Sequence, residues 1–277
     1  MNMRQGRLLG VDGLNLSWYS WLPERQAKAV VLIIHGYGEH ARRYGNVINK
    51  LVPAGYSVYA FDLRGHGESE GVRGHVDLFS HYVEDTARFM DEIVRPGTPD
   101  IPVFCLGHSM GSIINMNYVS KYGSHLRGYV LSGTGFASPL NKPGLDFFAA
   151  LLSKLTPAST IKFPLPPEFI SRDSEVVEAY RQDPLVFDRL SFRLAAEMKR
   201  ALTQGTAAIS TLTLPVLLQC GSADQSFTGQ RALFENLQAE DKTLHLYQGL
   251  KHEVYNELEA DRARVLADLL AWLDARI

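Results

Sequence analysis

The sequence predicts an α/β protein with a mostly parallel central sheet, helices on both faces of the sheet, and one inserted helical cap. Short apolar stretches alternate with helical patterns, and a glycine-rich turn joins one apolar stretch to a helix. The alternation is interrupted once, over residues 138–211, where prolines are frequent and helical patterns follow one another without strands. We therefore expect a core formed by residues 1–137 and 212–277, and a cap formed by residues 138–211.

The first predicted strands lie before residue 62. Leu14 to Trp21 alternates apolar and polar residues after the turn signal Asp12-Gly13. Ala29 to Ile34 is apolar throughout, which is typical of a strand covered on both faces. A helical stretch at about 41–51 then leads to a third strand at 57–61.

The remaining predicted elements continue the alternation up to the interruption and resume it afterwards. In chain order they are a helix at 80–94, a strand at 103–106, a helix at 112–122, strands at 126–131, 215–220 and 243–247, and a closing helix at 261–275. Strands joined in this way pair in parallel, and catalytic groups of such folds lie on loops after their carboxyl ends.

Composition limits the classes of function. The chain has 277 residues, of which 45% are hydrophobic, so it can bury a large core. The formal net charge is -2 without a basic run, which argues against nucleic acid as a partner. Cys105 and Cys220 lie in apolar stretches without disulfide or metal-like spacing, so we interpret both as core residues in a reducing compartment. No metal or organic cofactor is expected.

The sequence shows neither a secretion signal nor a membrane span. The first ten residues lack the apolar region of a signal peptide, and no stretch reaches the ~18 apolar residues that cross a bilayer. We expect a soluble, cytoplasmic protein. Peripheral contact of the cap with a membrane or micelle stays open.

The most informative motif is Gly107-His108-Ser109-Met110-Gly111, between a predicted strand and a predicted helix. A sharp turn of this kind strains the residue at its apex and holds the hydroxyl clear of the sheet. Bulky side chains two positions on either side would collide, which explains both glycines. This context favours Ser109 as a catalytic nucleophile over a plain glycine-rich turn.

A serine nucleophile needs a base within hydrogen-bond reach and a group that orients the base. Asp224 follows the predicted strand that ends at Cys220, and His252 follows the strand that ends at Tyr247. Alone, Asp224 could be a turn former and His252 a solvated loop residue. The chain order Ser109, Asp224, His252 nevertheless predicts a catalytic triad.

The other eight histidines fit the role of the base less well. Five precede the serine, and His125 and His245 lie near a helix end and inside a strand. His108 is next to Ser109 but is expected to point elsewhere because of the sharp turn.

Acyl transfer also needs N–H donors for the tetrahedral oxyanion. We expect these to be the backbone N–H groups of Met110 and Tyr37, the second in the loop His35-Gly36-Tyr37-Gly38. His35 is expected to brace this loop by hydrogen bonds.

A third glycine-rich stretch, Phe61 to Gly71, follows a strand but lacks the spacing of a phosphate-binding loop. We interpret it as a structural turn near the pocket, with Asp62 and Arg64 as hydrogen-bond anchors.

Together these motifs resemble the α/β-hydrolase superfamily, and within it the monoacylglycerol lipase and lysophospholipase-like group. The matching segments are 35–40, 62–71, 107–111, 221–224 and 251–252, with 171–185 also similar. The resemblance implies the α/β-hydrolase fold and a serine hydrolase, with a cap over its site, that cleaves glycerol monoesters of fatty acids. The chain departs from the group at Ser112, usually a second glycine, and at 225–229, which leaves substrate preference open.

The predicted cap contains a strongly apolar segment, Leu145 to Leu155. It either packs on the core or lines an acyl tunnel, with Phe148, Leu151 and Leu152 as substrate-binding residues. Since each buried methylene contributes about 0.8 kcal/mol, an apolar tunnel would favour long acyl chains.

Other functions share parts of this pattern. A general carboxylesterase, a lysophospholipase or a thioesterase could use the same machinery on a different substrate. A catalytically silent binding protein could share the fold, but such proteins usually lack a member of the triad. Dehalogenases and most epoxide hydrolases are disfavoured, because they place a carboxylate where this chain has Ser109.

Overall fold

The structure is a computed structural model that describes residues 1–136, 152–163 and 166–277. Its main sheet contains β1 (Asn2–Leu9), β2 (Asn15–Leu22), β3 (Ala29–Ile34), β4 (Tyr56–Phe61), β5 (Val103–His108), β6 (Gly128–Ser132), β9 (Val216–Gly221) and β10 (Lys242–Tyr247). Their spatial order is β1-β2-β4-β3-β5-β6-β9-β10. β2 is antiparallel to β1 and β4, and the strands from β4 to β10 are parallel to one another. The predicted mostly parallel sheet is confirmed.

The centre of the sheet consists of strands buried on both faces. β3 has the predicted bounds, and all of its residues are buried. Leu32 and Ile34 belong to one core cluster, whereas Val31 and Ile33 belong to the cluster on the opposite face. Successive side chains of a strand point to opposite faces, so a continuous apolar run requires cover on both sides.

Helices supply that cover. The longer helices of the described residues are α1 (Gly45–Leu51), α2 (Ser80–Phe89), α3 (Met110–Tyr122), α4 (Ser174–Gln182), α5 (Phe192–Ile209), α6 (Gln230–Asn236) and α7 (Glu259–Asp274), and all of them except α4 cover the sheet. Buried residues of α2, α3, α5 and α6 pack against the face that contains Leu32, and those of α1 and α7 against the face that contains Ile33. α2 continues through a π-helical turn (Met90–Val94), so the predicted helix at 80–94 is confirmed over its length.

One strand of the sheet is missing from the sequence prediction. β1 pairs with β2 along its whole length, from Asn2 opposite Leu22 to Leu9 opposite Asn15. Only Leu8 of this strand is buried, and most of its side chains are exposed. An edge strand of this kind lacks the apolar pattern from which strands are predicted.

The described part of 138–211 contains α4, α5 and a small antiparallel ribbon of β7 (Thr160–Lys162) and β8 (Arg189–Ser191). The sequence predicts helical patterns without strands here, so the ribbon is a difference. Each strand has three residues, and all three of β7 are exposed. Three residues are too few to show the alternation of apolar and polar side chains by which strands are predicted.

The strand order reverses between β3 and β5, because the chain leaves β3 for β4 on one side and reaches β5 on the other. In open parallel sheets the crevice outside the carboxyl ends of the strands at such a point binds ligands. The loop after β3 starts at His35, and the turn after β5 contains Ser109. Two predicted parts of the site therefore meet at the same place in the fold.

Both cysteines lie in the core of the sheet, buried and unpaired. Burial raises the pKa of the Cys220 thiol to about 12.

Across residues 1–136, 152–163 and 166–277, no helix is long and apolar enough to cross a membrane. The same residues hold no group of three or more histidine, cysteine or carboxylate side chains that could bind a metal ion.

Candidate active site

The turn between β5 and α3 has the strained geometry that the sequence predicts. Ser109 has φ 54° and ψ -120°, a conformation that L residues rarely adopt. A Cβ atom on Gly107 would lie 2.3 Å from the carbonyl oxygen of Gly111, and one on Gly111 would lie 2.0 Å from that of Ile34. Close backbone contacts therefore require glycine at both positions. Ser109 lies midway between the two glycines, at the apex of the turn.

Ser112, where the chain departs from the resembling group, helps to hold this turn. Its hydroxyl is buried and lies 2.8 Å from the carbonyl oxygen of Gly107 and 2.9 Å from that of Ser132. The backbone N–H of Ser109 also donates to the Ser132 carbonyl, at 3.0 Å. The side chain thus links the first turn of α3 to the ends of β5 and β6.

Asp224 and His252 form a buried pair. Nδ1 of His252 lies 2.9 Å from Oδ2 of Asp224. The other carboxylate oxygen, Oδ1, accepts the backbone N–H groups of Ser226 at 2.7 Å and Phe227 at 3.3 Å. The Phe227 ring stacks on the imidazole with centroids 6.1 Å apart. The backbone donors thus hold the Asp224 carboxylate in place, and this carboxylate holds the imidazole of His252.

The pair is electrostatically matched. Burial alone would lower the pKa of His252, but the charge and hydrogen bond of Asp224, together with the charges of Glu253 and Glu39, outweigh it and raise that pKa above its ordinary value. Burial would raise the pKa of Asp224, but His252 and the backbone donors hold it below its ordinary value. Asp224 is thus a carboxylate that stabilises an imidazolium, as a general base requires.

Ser109 and His252 line one small cavity of about 10 Å³, which is the size of a single water molecule. The fold therefore brings together the three residues that the sequence predicts as a triad. Gly133, at φ 54°, allows the backbone after β6 to lie close to the His252 ring, because a Cβ there would lie 2.9 Å from Cε1 of His252.

His108 lies closer to the site than the sequence predicts. Its ring is buried, with its centroid 4.8 Å from that of His252, and it lines the same cavity as Ser109. Nδ1 lies 3.2 Å from the hydroxyl of Ser132. Burial lowers the pKa of His108 to about 3, so it is a neutral neighbour of His252.

Two free backbone donors lie near Ser109, one in the loop after β3 and one in the turn after β5. The N–H of Gly36 is occupied by Oε1 of Glu39 at 2.7 Å. The N–H groups of Tyr37 and Met110 have no acceptor among the described residues. His35 braces the loop as predicted: Nδ1 lies 2.8 Å from the Gly36 carbonyl, and Nε2 accepts the N–H of Leu63 at 2.9 Å.

The stretch from Phe61 to Gly71 is a structural turn, as predicted. The carboxylate of Asp62 accepts the N–H of Ala41 at 2.9 Å and that of Glu68 at 2.8 Å. Arg64 pairs with Asp85 at 2.7 Å and Asp12 at 2.6 Å. The anchor residues Asp62 and Arg64 therefore connect this turn to other parts of the core.

Of the three predicted substrate-binding residues, Phe148 and Leu151 lie outside the described residues. Leu152 is described and half-buried. Other parts of 138–211 contact the site directly through the backbone. The N–H of Phe187 donates to the carbonyl of Gly38 at 3.0 Å, and the N–H of Glu253 donates to that of Ile170 at 2.8 Å.

Three charged residues beside the site were missed by the sequence reasoning. Arg43 forms ion pairs with Glu39 and Glu253, each at 2.7 Å, and all three side chains are at most 10% exposed. Glu39 and Arg43 are four residues apart, and Glu253 follows His252 directly. Their charges beside predicted site residues could have drawn attention to them. The pairing of Arg43 with Glu253 could not be predicted, because it joins residues 210 positions apart.

Comparison with known proteins agrees with this geometry. A family model described as "Serine aminopeptidase, S33" matches residues 25–259. The chain is 38% identical to the monoacylglycerol lipase of Mycolicibacterium smegmatis, over 95% of this chain and 94% of that protein. It is 34% identical to the monoglyceride lipase of Mus musculus, over 98% and 90% of the two chains.

A solved structure is similar over nearly the same length. A soluble variant of the monoglyceride lipase from Saccharomyces cerevisiae, in complex with a substrate analogue, has a TM-score of 0.87 and 26% identity, covering 98% of this chain and 94% of that one. The chain therefore belongs to the α/β-hydrolase family described as serine aminopeptidase, S33, and within it to the monoglyceride lipase-like group.

Proposed function

We propose that the protein is a serine hydrolase that cleaves monoacylglycerols to glycerol and free fatty acid. The observation that carries this proposal is the serine on a strained turn beside a buried Asp224–His252 pair. The names of the relatives support the choice of monoacylglycerols as the substrate class.

The proposed reaction has two steps. Ser109 attacks the ester carbonyl while His252 accepts its proton, and the backbone N–H groups of Tyr37 and Met110 stabilise the oxyanion. His252 then donates that proton to the departing glycerol oxygen, which leaves an acyl-serine. A water molecule that loses its proton to His252 attacks the acyl carbon, and His252 returns that proton to the Ser109 oxygen as the fatty acid leaves.

We assign residues 138–211 to a cap over this site, with Phe148, Leu151 and Leu152 contacting the acyl chain. The hydrogen bonds of Phe187 and Ile170 to the two catalytic loops support the assignment. An apolar lining would select among chain lengths, since each methylene removed from water contributes about 0.8 kcal/mol.

The first experiment identifies the nucleophile. We expect a fluorophosphonate probe to label the wild-type protein, and Ser109→Ala to lose both labelling and turnover of a p-nitrophenyl ester while its circular dichroism is unchanged. Ser120→Ala is the matched control, because Ser120 is exposed near the other end of α3. Turnover by Ser109→Ala near the wild-type rate would refute the assignment.

The second experiment identifies the substrate. Rates are compared for C4, C8 and C14 monoacylglycerols, a lysophospholipid and an acyl thioester. We expect the C8 and C14 monoacylglycerols to give the highest kcat/KM. A sharp preference for C4 would contradict a long acyl site, and faster turnover of the lysophospholipid or the thioester would contradict the head-group assignment.

We extend the proposal to contact with a lipid surface. In the assigned cap, Leu155 is 68% exposed and Ile161 is 43% exposed. We expect Leu155→Ser with Ile161→Ser to reduce co-sedimentation with phosphatidylcholine vesicles. The control is Val72→Ser, which removes an apolar side chain of similar exposure, 59%, outside the cap. Equal co-sedimentation of all three proteins would contradict this contact.

A further inference from the structure

Arg43 occupies a central place between the two catalytic loops. Its Nη1 donates to Oε2 of Glu39 and to Oε1 of Glu253, both at 2.7 Å, and its Nη2 donates to Oε2 of Glu253 at 2.8 Å. The guanidinium lies 4.7 Å from the centre of the Tyr180 ring. One cation thus contacts the loop after β3, the loop after β10 and helix α4.

Each carboxylate also belongs to, or contacts, one of the two loops. Oε1 of Glu39 accepts the N–H of Gly36 at 2.7 Å and the hydroxyl of Tyr44 at 2.8 Å. Gly36 directly precedes Tyr37, the proposed oxyanion donor. Glu253 directly follows His252, and its Oε2 also accepts from Nδ2 of Asn256 at 2.8 Å. A shift of either carboxylate would therefore move a reacting group.

Stability alone is a weak explanation for this cluster. Removing two carboxylates and a guanidinium from water costs several kcal/mol per ion, and apolar residues of similar volume often stabilise a fold as well or better. The cluster also lines the cavity that contains Ser109 and His252. Its location at the reacting groups points to a role in the reaction.

We propose that Arg43 is a positioning residue: by holding Glu39 and Glu253, it fixes the loop of Tyr37 relative to the loop of His252. The inference rests on the proposed function, because it assumes that these two loops carry the oxyanion donor and the base. Arg43 contacts no reacting atom itself in this arrangement.

The cluster also has an electrostatic consequence. The titratable groups facing His252 are Asp224, Glu253, Glu39 and the neutral His108. After Asp224, the charges of Glu253 and Glu39 contribute to raising the pKa of His252. Burial opposes the ionisation of Glu253, but Arg43 outweighs burial and holds the pKa of that carboxyl well below its usual range. Arg43 thus keeps a negative charge next to the base.

Two variants separate geometry from charge. Arg43→Lys keeps the positive charge but loses the bidentate contact. Because small misplacements of catalytic groups are costly, we expect kcat on p-nitrophenyl butyrate to fall roughly tenfold or more, with KM and the acid limb of the pH profile little changed. Glu253→Gln keeps the shape but loses the charge, so the acid limb of kcat/KM should move to lower pH.

The matched control is Arg42→Lys. Arg42 is the preceding residue, is 42% exposed, and pairs with Glu68; neither residue lines the cavity that Ser109 and His252 line. We expect its kcat and its pH profile to equal those of the wild type. Each kcat is divided by the active sites titrated with a fluorophosphonate, so that a loss of folded protein alone leaves the value unchanged.

The proposal is overturned if folded Arg43→Lys has the wild-type kcat per titrated site. A wild-type acid limb in Glu253→Gln would contradict the electrostatic consequence. If Arg43→Lys does not fold, Glu39→Gln decides, because it weakens the contact of Arg43 with the loop of Tyr37: a lower kcat per titrated site supports the proposal, and the wild-type kcat overturns it. Failure of the proposed function would appear separately, as retained turnover in Ser109→Ala or as a different preferred substrate.

Discussion

Two glycine-rich turns flank strand β3, one after β4 and one after β5, and they differ in where they place strain. In the turn from Phe61 to Gly71, the residues with positive φ are glycines: Gly65 at 68°, Gly67 at 49° and Gly71 at 110°. In the turn after β5, the residue with positive φ is Ser109, at 54°. Strain at a non-glycine residue persists only where the surroundings enforce it, and it is concentrated at functional sites.

The two turns also differ in what surrounds their glycines. A Cβ on Gly67 would meet the carboxylate of Asp62 at 2.2 Å, whereas one on Gly111 would meet the backbone carbonyl of Ile34 at 2.0 Å. Side chains can move aside more easily than strands of a buried sheet. The turn after β5 is thus held against the backbone of β3. The turn after β4 is held by the carboxylate of Asp62 and by its own backbone, since a Cβ on Gly65 would lie 2.5 Å from the carbonyl oxygen of Val72.

The largest effect is expected for Asp224→Asn, which leaves the turn after β5 intact and removes the charge that orients the base. A carboxamide at this position favours the wrong tautomer of His252, so kcat should fall by roughly 10⁴-fold. Steady-state kinetics and thermal unfolding check this. A fall of less than tenfold in a folded variant would mean that Asp224 is not the orienting acid.

Gly111→Ala should cost stability as well as activity. Its Cβ would lie 2.0 Å from the carbonyl oxygen of Ile34 and 2.5 Å from that of His35, so either β3 or the turn must shift. We expect a loss of about 3 kcal/mol in the free energy of unfolding, measured in urea. Gly45→Ala is the control, since a Cβ there meets nothing within 4 Å. Equal stability of the two variants would contradict the comparison.

Asp62→Asn tests the turn after β4. Its two carboxylate oxygens accept from the N–H groups of Ala41 and Glu68, so an amide must leave one of these donors facing an NH₂ group. We expect a loss of about 2 kcal/mol in the free energy of unfolding with kcat within a factor of two or so of the wild type. The control is Asp77→Asn, whose side chain is 80% exposed. A large fall in kcat with unchanged stability would place Asp62 in the reaction.

The smallest effect is the pH dependence of the wild type. His252 accepts the proton of Ser109 only when neutral, so kcat/KM should fall about tenfold per unit as the pH drops below the pKa of His252. Because that pKa is raised, the midpoint should lie above the ordinary value of about 6.5. Burial lowers the pKa values of His35 and His66 to about 3, so they add no second limb near neutrality. A midpoint below 6 or so would contradict the raised pKa of the base.

Sequence patterns predicted the parts of this molecule that depend on local chemistry. β3 was predicted with its bounds because six consecutive apolar residues need cover on both faces. The glycines around Ser109 and the anchors Asp62 and Arg64 were predicted because turns restrict residue types. β1 was missed because its side chains are mostly exposed.

What could not be predicted depends on contacts between distant segments. The position of His108 against His252 follows from how β5 and the loop after β10 approach each other. The pairing of Arg43 with Glu253 joins residues 210 positions apart. Neither arrangement follows from local pattern, because many residues could occupy those positions without altering the predicted elements.

The contacts between residues 166–191 and the catalytic loops have a consequence for how substrate range can change. Phe187 reaches Gly38, and Glu253 reaches Ile170, through main-chain atoms. Such contacts depend on the path of the backbone and not on the identity of the side chains. Side chains that face a ligand can therefore be exchanged while the reacting groups keep their relative positions. Chimeras between homologues should therefore preserve chemistry when their junctions retain this backbone path, which would make the proposed cap a natural unit for diversifying specificity.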